Sequence, residues 1–131
     1  MFANLMDSEE REKLMELIYK LARCDGEYAE EEQEIVENYR AELCIDRIPD
    51  TDSIKGLSEF FASKSETVRR IVLFEVWSMI LSDKKVSGEE EKAFEQVKSG
   101  LNLDLSATDE IVAATNALKK AYESVYDAVF K

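Results

Sequence analysis

Carboxylates are the side chains through which this chain could do chemistry. It holds 29 Asp and Glu against 17 Lys and Arg, with two cysteines and no histidine. Two stretches concentrate the acids at turns: Asp25-Gly26-Glu27-Tyr28-Ala29-Glu30-Glu31-Glu32 and Asp83-Lys84-Lys85-Val86-Ser87-Gly88-Glu89-Glu90. Clustered carboxylates attract hard cations, but only weakly unless a preformed cage supplies several ligands at once. The lack of histidine removes Ser-His-Asp and Cys-His nucleophile systems and imidazole zinc sites. With no signal-like apolar run at the N-terminus a reducing cytosol is expected, so Cys24 and Cys44 read as free thiols acting as small buried hydrophobes rather than a redox pair, and without a CxxC partner they do not suggest zinc. A carboxylate-based hydrolase needs two acids at a fixed separation in a cleft, and no pair stands out as such.

A helix–loop–helix calcium site wants oxygen ligands at positions 1, 3, 5 and 12, with Gly at position 6. Counted from Asp25, position 6 is Glu30 and position 12 is Val36. Counted from Asp83, Gly88 does stand at position 6, but Lys85 stands at 3 and Phe94 at 12. Neither turn is an EF-hand. Helix capping explains the same residues without a ligand, because acids at a helix start each stabilise it by ~0.3–1 kcal/mol through free N–H groups and the macrodipole.

Helices must carry these turns. One Pro and four Gly leave little material for a turn-rich β fold, and 131 residues suit one core. Ile71–Leu81, reading IVLFEVWSMIL, is interrupted only by Glu75 and Ser78, so a helix built from it is apolar nearly all round and belongs inside other elements. It is about half the ~20 residues needed to cross a bilayer. Asp7 and Glu10 have capping-box spacing and predict a first helix, with Leu14, Leu17, Ile18 and Leu21 on one face, ending close to Cys24. Asp25-Gly26 is a turn signal. A second helix from about Glu30 turns Ile35, Val36, Tyr39 and Leu43 inward. Pro49 breaks the pattern, and a short helix from Asp52 to about Ala62 points Ile54, Leu57 and Phe60 inward.

Ser63 and Glu66 then open the central helix, which ends near Ser82. Ser87 and Glu90 open the next, with Ala93, Phe94 and Val97 inward and Gly100 as its stop. Ser106 and Asp109 start the last helix, whose Ile111, Thr115, Leu118, Tyr122, Val125 and Val129 keep one contact face. Trp77, Phe74 and Met79 read as core. Glu75 has two readings: a residue where the helix surfaces or pairs with Arg69 or Arg70, which is the commoner case, or a buried acid with a raised pKa. Packing explains Tyr122 first, with an exposed aromatic strip of Tyr122 and Tyr126 for a partner as the second reading.

A shift of 58 residues aligns Asp25 with Asp83, Glu31-Glu32 with Glu89-Glu90, Leu43 with Leu101 and Asp46 with Asp104. The same shift puts Leu14, Ile18 and Ala22 on Val72, Val76 and Ile80. Two copies are too few for a solenoid. The expected fold is therefore all-α: a single domain over 1–131, a bundle of six or seven helices, with repeat halves of roughly 7–62 and 63–131 related by a pseudo-two-fold around the central buried helix.

The repeated turn resembles the acidic motif of the TerB-like family, bacterial domains named for tellurite resistance and also present in a membrane-associated J-domain co-chaperone. That motif runs Ala-x-x-Asp-Gly-x-apolar-Ser-x-x-Glu between two helices and occurs twice in the domain. Ala22-Arg23-Cys24-Asp25-Gly26-Glu27-Tyr28-Ala29-Glu30-Glu31-Glu32 covers the first copy, with Ala29 where Ser or Thr is usual. Ser82 to Glu90 covers the second, with Lys84 in place of Gly. The resemblance implies divalent-metal ligands at Asp25, Glu32, Asp83 and Glu90, the cation being Ca²⁺ or Mg²⁺. Lys84 and Lys85 would offset the carboxylate charge at the second turn. It also implies a stress or tellurite-response setting.

The net charge of −12 is unevenly placed: residues 1–50 hold 15 acids against 6 bases, residues 51–131 hold 14 against 11. Such a field repels phosphate backbones and acidic lipids, so neither nucleic acid nor direct membrane insertion is expected. The leading expectation is a non-catalytic cytoplasmic interaction domain whose acidic surface around Asp25–Glu37 meets a basic or cation-bridged protein partner. The alternative is a divalent-metal sensor or buffer built on the two acidic turns. Homo-oligomerisation stays open.

Overall fold

The computed structural model describes residues 1–82 and 86–131; the expected ligand Asp83, with Lys84 and Lys85, lies outside the described residues. A 3-10 turn at Ala3–Leu5 leads into α1 (Ser8–Ala22), α2 (Glu30–Glu42), α3 (Ile54–Ala62), α4 (Glu66–Ser82), α5 (Gly88–Gly100) and α6 (Leu105–Val129). The protein is an all-α helical bundle, with no strand among the described residues.

Local chemistry explains most helix starts. Asp7 accepts the Glu10 N–H at 2.8 Å while Glu10 accepts the Asp7 N–H at 2.9 Å, a complete capping box. Ser87 and Glu90 repeat it on α5. Ser53 caps α3 by accepting from Gly56 N–H at 3.0 Å. Ala29 occupies the cap position of α2 with extended backbone but has no side-chain oxygen to offer. α2 and α5 each run 13 residues, start and stop 58 residues apart, and are each followed by a left-handed residue, Cys44 (φ 58°) and Asn102 (φ 59°). α1 and α4 also begin 58 residues apart, at Ser8 and Glu66.

The interior is shared by two helices. Leu14, Met15, Leu17, Ile18 and Leu21 of α1 are as buried as Val72, Leu73, Val76 and Ile80 of α4. α1 packs against α2, α3, α4 and α5, and α4 against α1, α3, α5 and α6. Phe74 and Trp77 lie only partly buried on the outer side of α4, while Met79 is buried. The Trp77 ring lies 4.5 Å from that of Phe94, and its Nε1–H donates to Asn116 Oδ1 at 2.9 Å, tying α4 to α5 and α6. At the α3–α5 crossing, Gly100 admits Ser58 so closely that an added Cβ would sit 2.5 Å from the Ser58 Cβ.

Several sequence expectations need correction. Ser63 donates back to Phe60 O at 2.8 Å and closes α3, whereas Ser65 accepts the Val68 N–H at 3.2 Å and opens α4. Asp104, not Ser106, caps α6 by accepting the Ala107 N–H at 2.7 Å, because a carboxylate two residues upstream reaches the free donors first. In α3 the buried ring is Phe61, with Phe60 edge-on to it at 5.1 Å. Cys44 is exposed beyond the end of α2 and Cys24 is half-buried, so neither is a fully buried hydrophobe.

Glu75 does not surface and meets neither arginine. It is 6% exposed, 3.4 Å from the Met1 ammonium, which also pairs with Glu42. Arg70 pairs with Glu66 at 3.0 Å, and Arg69 donates to the carbonyls of Lys64, Leu101 and Asn102. Finally, the α6 contact face leaves the body after Leu118: Tyr122, Val125 and Val129 are all exposed.

Candidate functional site

Two neighbouring surfaces hold the residues with chemical potential. The first is the junction of the acidic turns. Asp25 sits in an Asx turn, its Oδ1 accepting the Glu27 N–H at 3.0 Å, and Gly26 beside it adopts φ +81°. Glu90 is buried, and its Oε1 accepts the Ser87 N–H at 3.3 Å. Glu32, half-buried in the first turn of α2, lines the same small cavity as Glu90, together with Ala22, Ile35 and Met79. The fold thus brings two of the expected ligands, 58 residues apart in sequence, to one place.

The Cys24 thiol registers this convergence. Burial pushes its pKa up to about 11, with further contributions from the carboxylates of Glu90, Asp25 and Glu89. Burial does most to hold the thiol protonated, and the carboxylates at the end of α1 and the start of α5 add to it. Among the described residues, no three His, Cys, Asp or Glu side chains converge closely enough to hold a metal ion. What the carboxylates visibly do here is cap helices and order a turn.

The second surface is a groove of about 540 Å³ on the outer face of α2, lined by Tyr28, Glu30, Gln33, Glu34, Val36, Glu37 and Ile48. Glu30, Glu34 and Glu37 stand exposed, while Tyr28 and Ile48 are half-buried and Val36 is buried. α2 carries six glutamates and one arginine. That arginine, Arg40, grips Glu37 and donates to Ile45 O at 2.7 Å, which holds the Glu37 carboxyl below its ordinary range. Tyr28 is steadied by Tyr19, edge-on at 5.9 Å, and by the Arg23 guanidinium over both rings. Gln33 donates to Tyr28 O at 2.9 Å and closes that end. Burial raises the Tyr28 hydroxyl pKa, so the groove presents a neutral phenol.

Ile48 reaches the groove through a clamp that sequence reading missed. Glu16, 1% exposed on α1, accepts the Thr51 N–H at 3.1 Å and the Asp52 N–H at 2.6 Å through Oε2, and the Thr51 hydroxyl at 3.3 Å through Oε1. It anchors the 43–53 connection against α1, and Lys20 adds an ion pair to Asp50. The signal was present, since Glu16 lies in Leu14-Met15-Glu16-Leu17-Ile18 with apolar residues on both sides, as Glu75 does in Phe74-Glu75-Val76-Trp77.

No family model matches the chain, and neither a curated protein nor a solved structure does. No helix among the described residues is long and apolar enough to cross a membrane.

Proposed function

We propose that this protein is a non-catalytic interaction domain of the TerB-like type, two related helical hairpins in one bundle, acting in the cytoplasm on a protein partner. The α2 groove is the docking surface, and a Lys- or Arg-bearing segment is the ligand. One observation carries this reading: three exposed carboxylates, Glu30, Glu34 and Glu37, rim a concave surface whose floor is apolar through Val36, Tyr28 and Ile48. A long basic side chain matches both features, laying its methylene stem on the floor and its charged head against the rim. The excess of acids in residues 1–50 adds a longer-range field that favours such partners on approach.

The test uses a fluorescent amphipathic peptide rich in Lys and Arg, with a Glu-substituted twin as control. Binding of the basic peptide should fall steeply when salt is raised to about 0.5 M, where the screening length is only a few ångströms. It should also fall in Glu30→Gln/Glu31→Gln/Glu34→Gln protein. Affinity indifferent to both changes refutes the reading.

The alternative, a divalent-cation site at Asp25, Glu32, Asp83 and Glu90, is favoured by the shared cavity of Glu32 and Glu90. Calorimetric titration of Ca²⁺ and Mg²⁺ against the protein and Asp25→Asn separates the two. Binding tighter than millimolar that the substitution abolishes supports the cation; absent binding, or binding the substitution leaves unchanged, removes it.

A further inference from the structure

The second half of α6 has an apolar face that no other described element covers. Ile111, Thr115, Leu118, Tyr122, Val125 and Val129 recur at alternating 4- and 3-residue steps, the spacing of a coiled-coil seam. Ala114, Ala121 and Ala128 stand seven apart beside that seam, where small side chains let a second helix approach closely. Only the start of the seam is used, against α4. Every residue from Lys120 onward is exposed, including Tyr122 at 64%, Val125 at 61%, Val129 at 68% and Phe130 at 71%. Where the seam leaves the body it runs into an open apolar groove of about 530 Å³, walled by Phe2, Leu5, Ile71, Phe74, Ile111 and Leu118. Face and groove form one continuous surface.

We propose that a second copy of this chain covers it. The two α6 helices lie antiparallel and cross between Tyr122 and Val125. This register sets Val129 against Leu118 of the other copy, since positions 118 and 129 lie equally far, about 8 Å at 1.5 Å per residue, on either side of the crossing. Val129 and Phe130 of each copy then enter the groove of the other. The arrangement is self-complementary, each contact occurring twice about a two-fold axis.

Two observations choose a second copy over an unrelated occupant. The first is area. The exposed apolar side chains of the α6 tail, with Met1 and Leu5 at the groove mouth, amount to roughly 800 Å², taking about 200 Å² for a whole aromatic side chain; a stable interface of standard size needs about that much from each partner. The second is charge. Residues 116–131 carry three lysines against two acids, whereas the remainder of the chain is strongly negative. Self-association is opposed by like charge over the acidic surface, and it is unopposed along this helix.

The inference is independent of the α2 groove, which lies on another helix. The experiment is sedimentation equilibrium of the whole chain at about 100 μM, a concentration at which micromolar self-association is complete. The wild type is expected at twice its 15.0 kDa chain mass. Val125→Glu, an exposed position that the monomer fold does not use, is expected to return it to a monomer with unchanged helical circular dichroism. The register is read by oxidative cross-linking in a Cys24→Ser/Cys44→Ser background, where Tyr122→Cys mixed with Val125→Cys is expected to cross-link faster than either alone. A monomeric wild type overturns the proposal, whatever other helix the face then takes. So does a dimer that persists in Val125→Glu, and a cross-linking pattern with no preference for the mixed pair overturns the antiparallel register. Glu30→Gln/Glu31→Gln/Glu34→Gln protein is expected to remain dimeric, which separates this result from the peptide-binding test.

Discussion

Replacing Glu16 tests whether a buried carboxylate on α1 holds the connection that shapes the α2 groove. Three hydrogen bonds meet at its two oxygens: both backbone donors at Oε2 and the Thr51 hydroxyl at Oε1. Glu16→Ala removes all three bonds, and because Thr51 is exposed and Asp52 half-buried, water replaces part of what is lost. A hydrogen bond to a charged group contributes about 1.5–3 kcal/mol where it is sheltered and less where water can substitute, so with lost packing the variant should lose roughly 2–4 kcal/mol, a large share of a typical domain's stability. Glu16→Gln should behave differently. Its amide oxygen can take the Oε2 place and keep both backbone donors, while its amide nitrogen donates to Thr51 Oγ1. Only the charge is lost, at about 1 kcal/mol. Urea unfolding followed by circular dichroism, with equal slopes in the variants, reads these differences as midpoint shifts. A further consequence is specific to the clamp: Glu16→Ala protein, still folded at low urea, should bind the basic peptide more weakly because Ile48 is no longer held in place. The reasoning is refuted if Ala costs under 1 kcal/mol, or if Gln costs as much as Ala.

The α2 and α5 caps should respond in opposite directions to substitutions 58 residues apart. Ser87→Ala should cost about 1 kcal/mol, and Ala29→Ser should add a similar amount because its extended backbone already matches that of Ser87; thermal unfolding would show both, and a neutral Ala29→Ser would refute the equivalence. Glu75 provides the pH prediction. Burial raises its carboxyl pKa above the ordinary 4.5, a rise the Met1 ammonium only partly offsets, while Glu42 adds to it. The folded state therefore binds the extra proton, and stability falls as pH rises from 4.5 through the raised folded value. Glu75→Gln should be more stable than wild type at pH 7, with the difference vanishing below about pH 4, where the carboxyl is protonated in both states. A Gln variant less stable than wild type at pH 7 would show that the ion pair outweighs desolvation.

Much of the helix plan was legible because its causes lie within a few residues of each other. The Asp7–Glu10 and Ser87–Glu90 boxes, the left-handed Gly26 and the matched lengths of α2 and α5 are all local events. Errors arose where two local solutions competed. Ser63 and Ser65, or Ser106 and Asp104, each offer a cap, and which one is taken depends on where the preceding helix ends. Phe60 and Phe61 differ by one position, and periodicity alone does not say which of two adjacent rings the neighbouring helix will meet.

The convergence of Glu32 and Glu90, the clamp at Glu16 and the burial of Glu75 belong to the tertiary structure. Each depends on a segment distant in sequence: α5 against α2, the 43–53 connection against α1, and the N-terminal residues against α4. Amphipathic spacing showed that α6 has a face. Only the packed bundle shows that the body stops at Leu118 and leaves Tyr122 through Phe130 in the open. A periodic pattern records that a helix is built to be covered, but what covers it is decided by the shape of everything else.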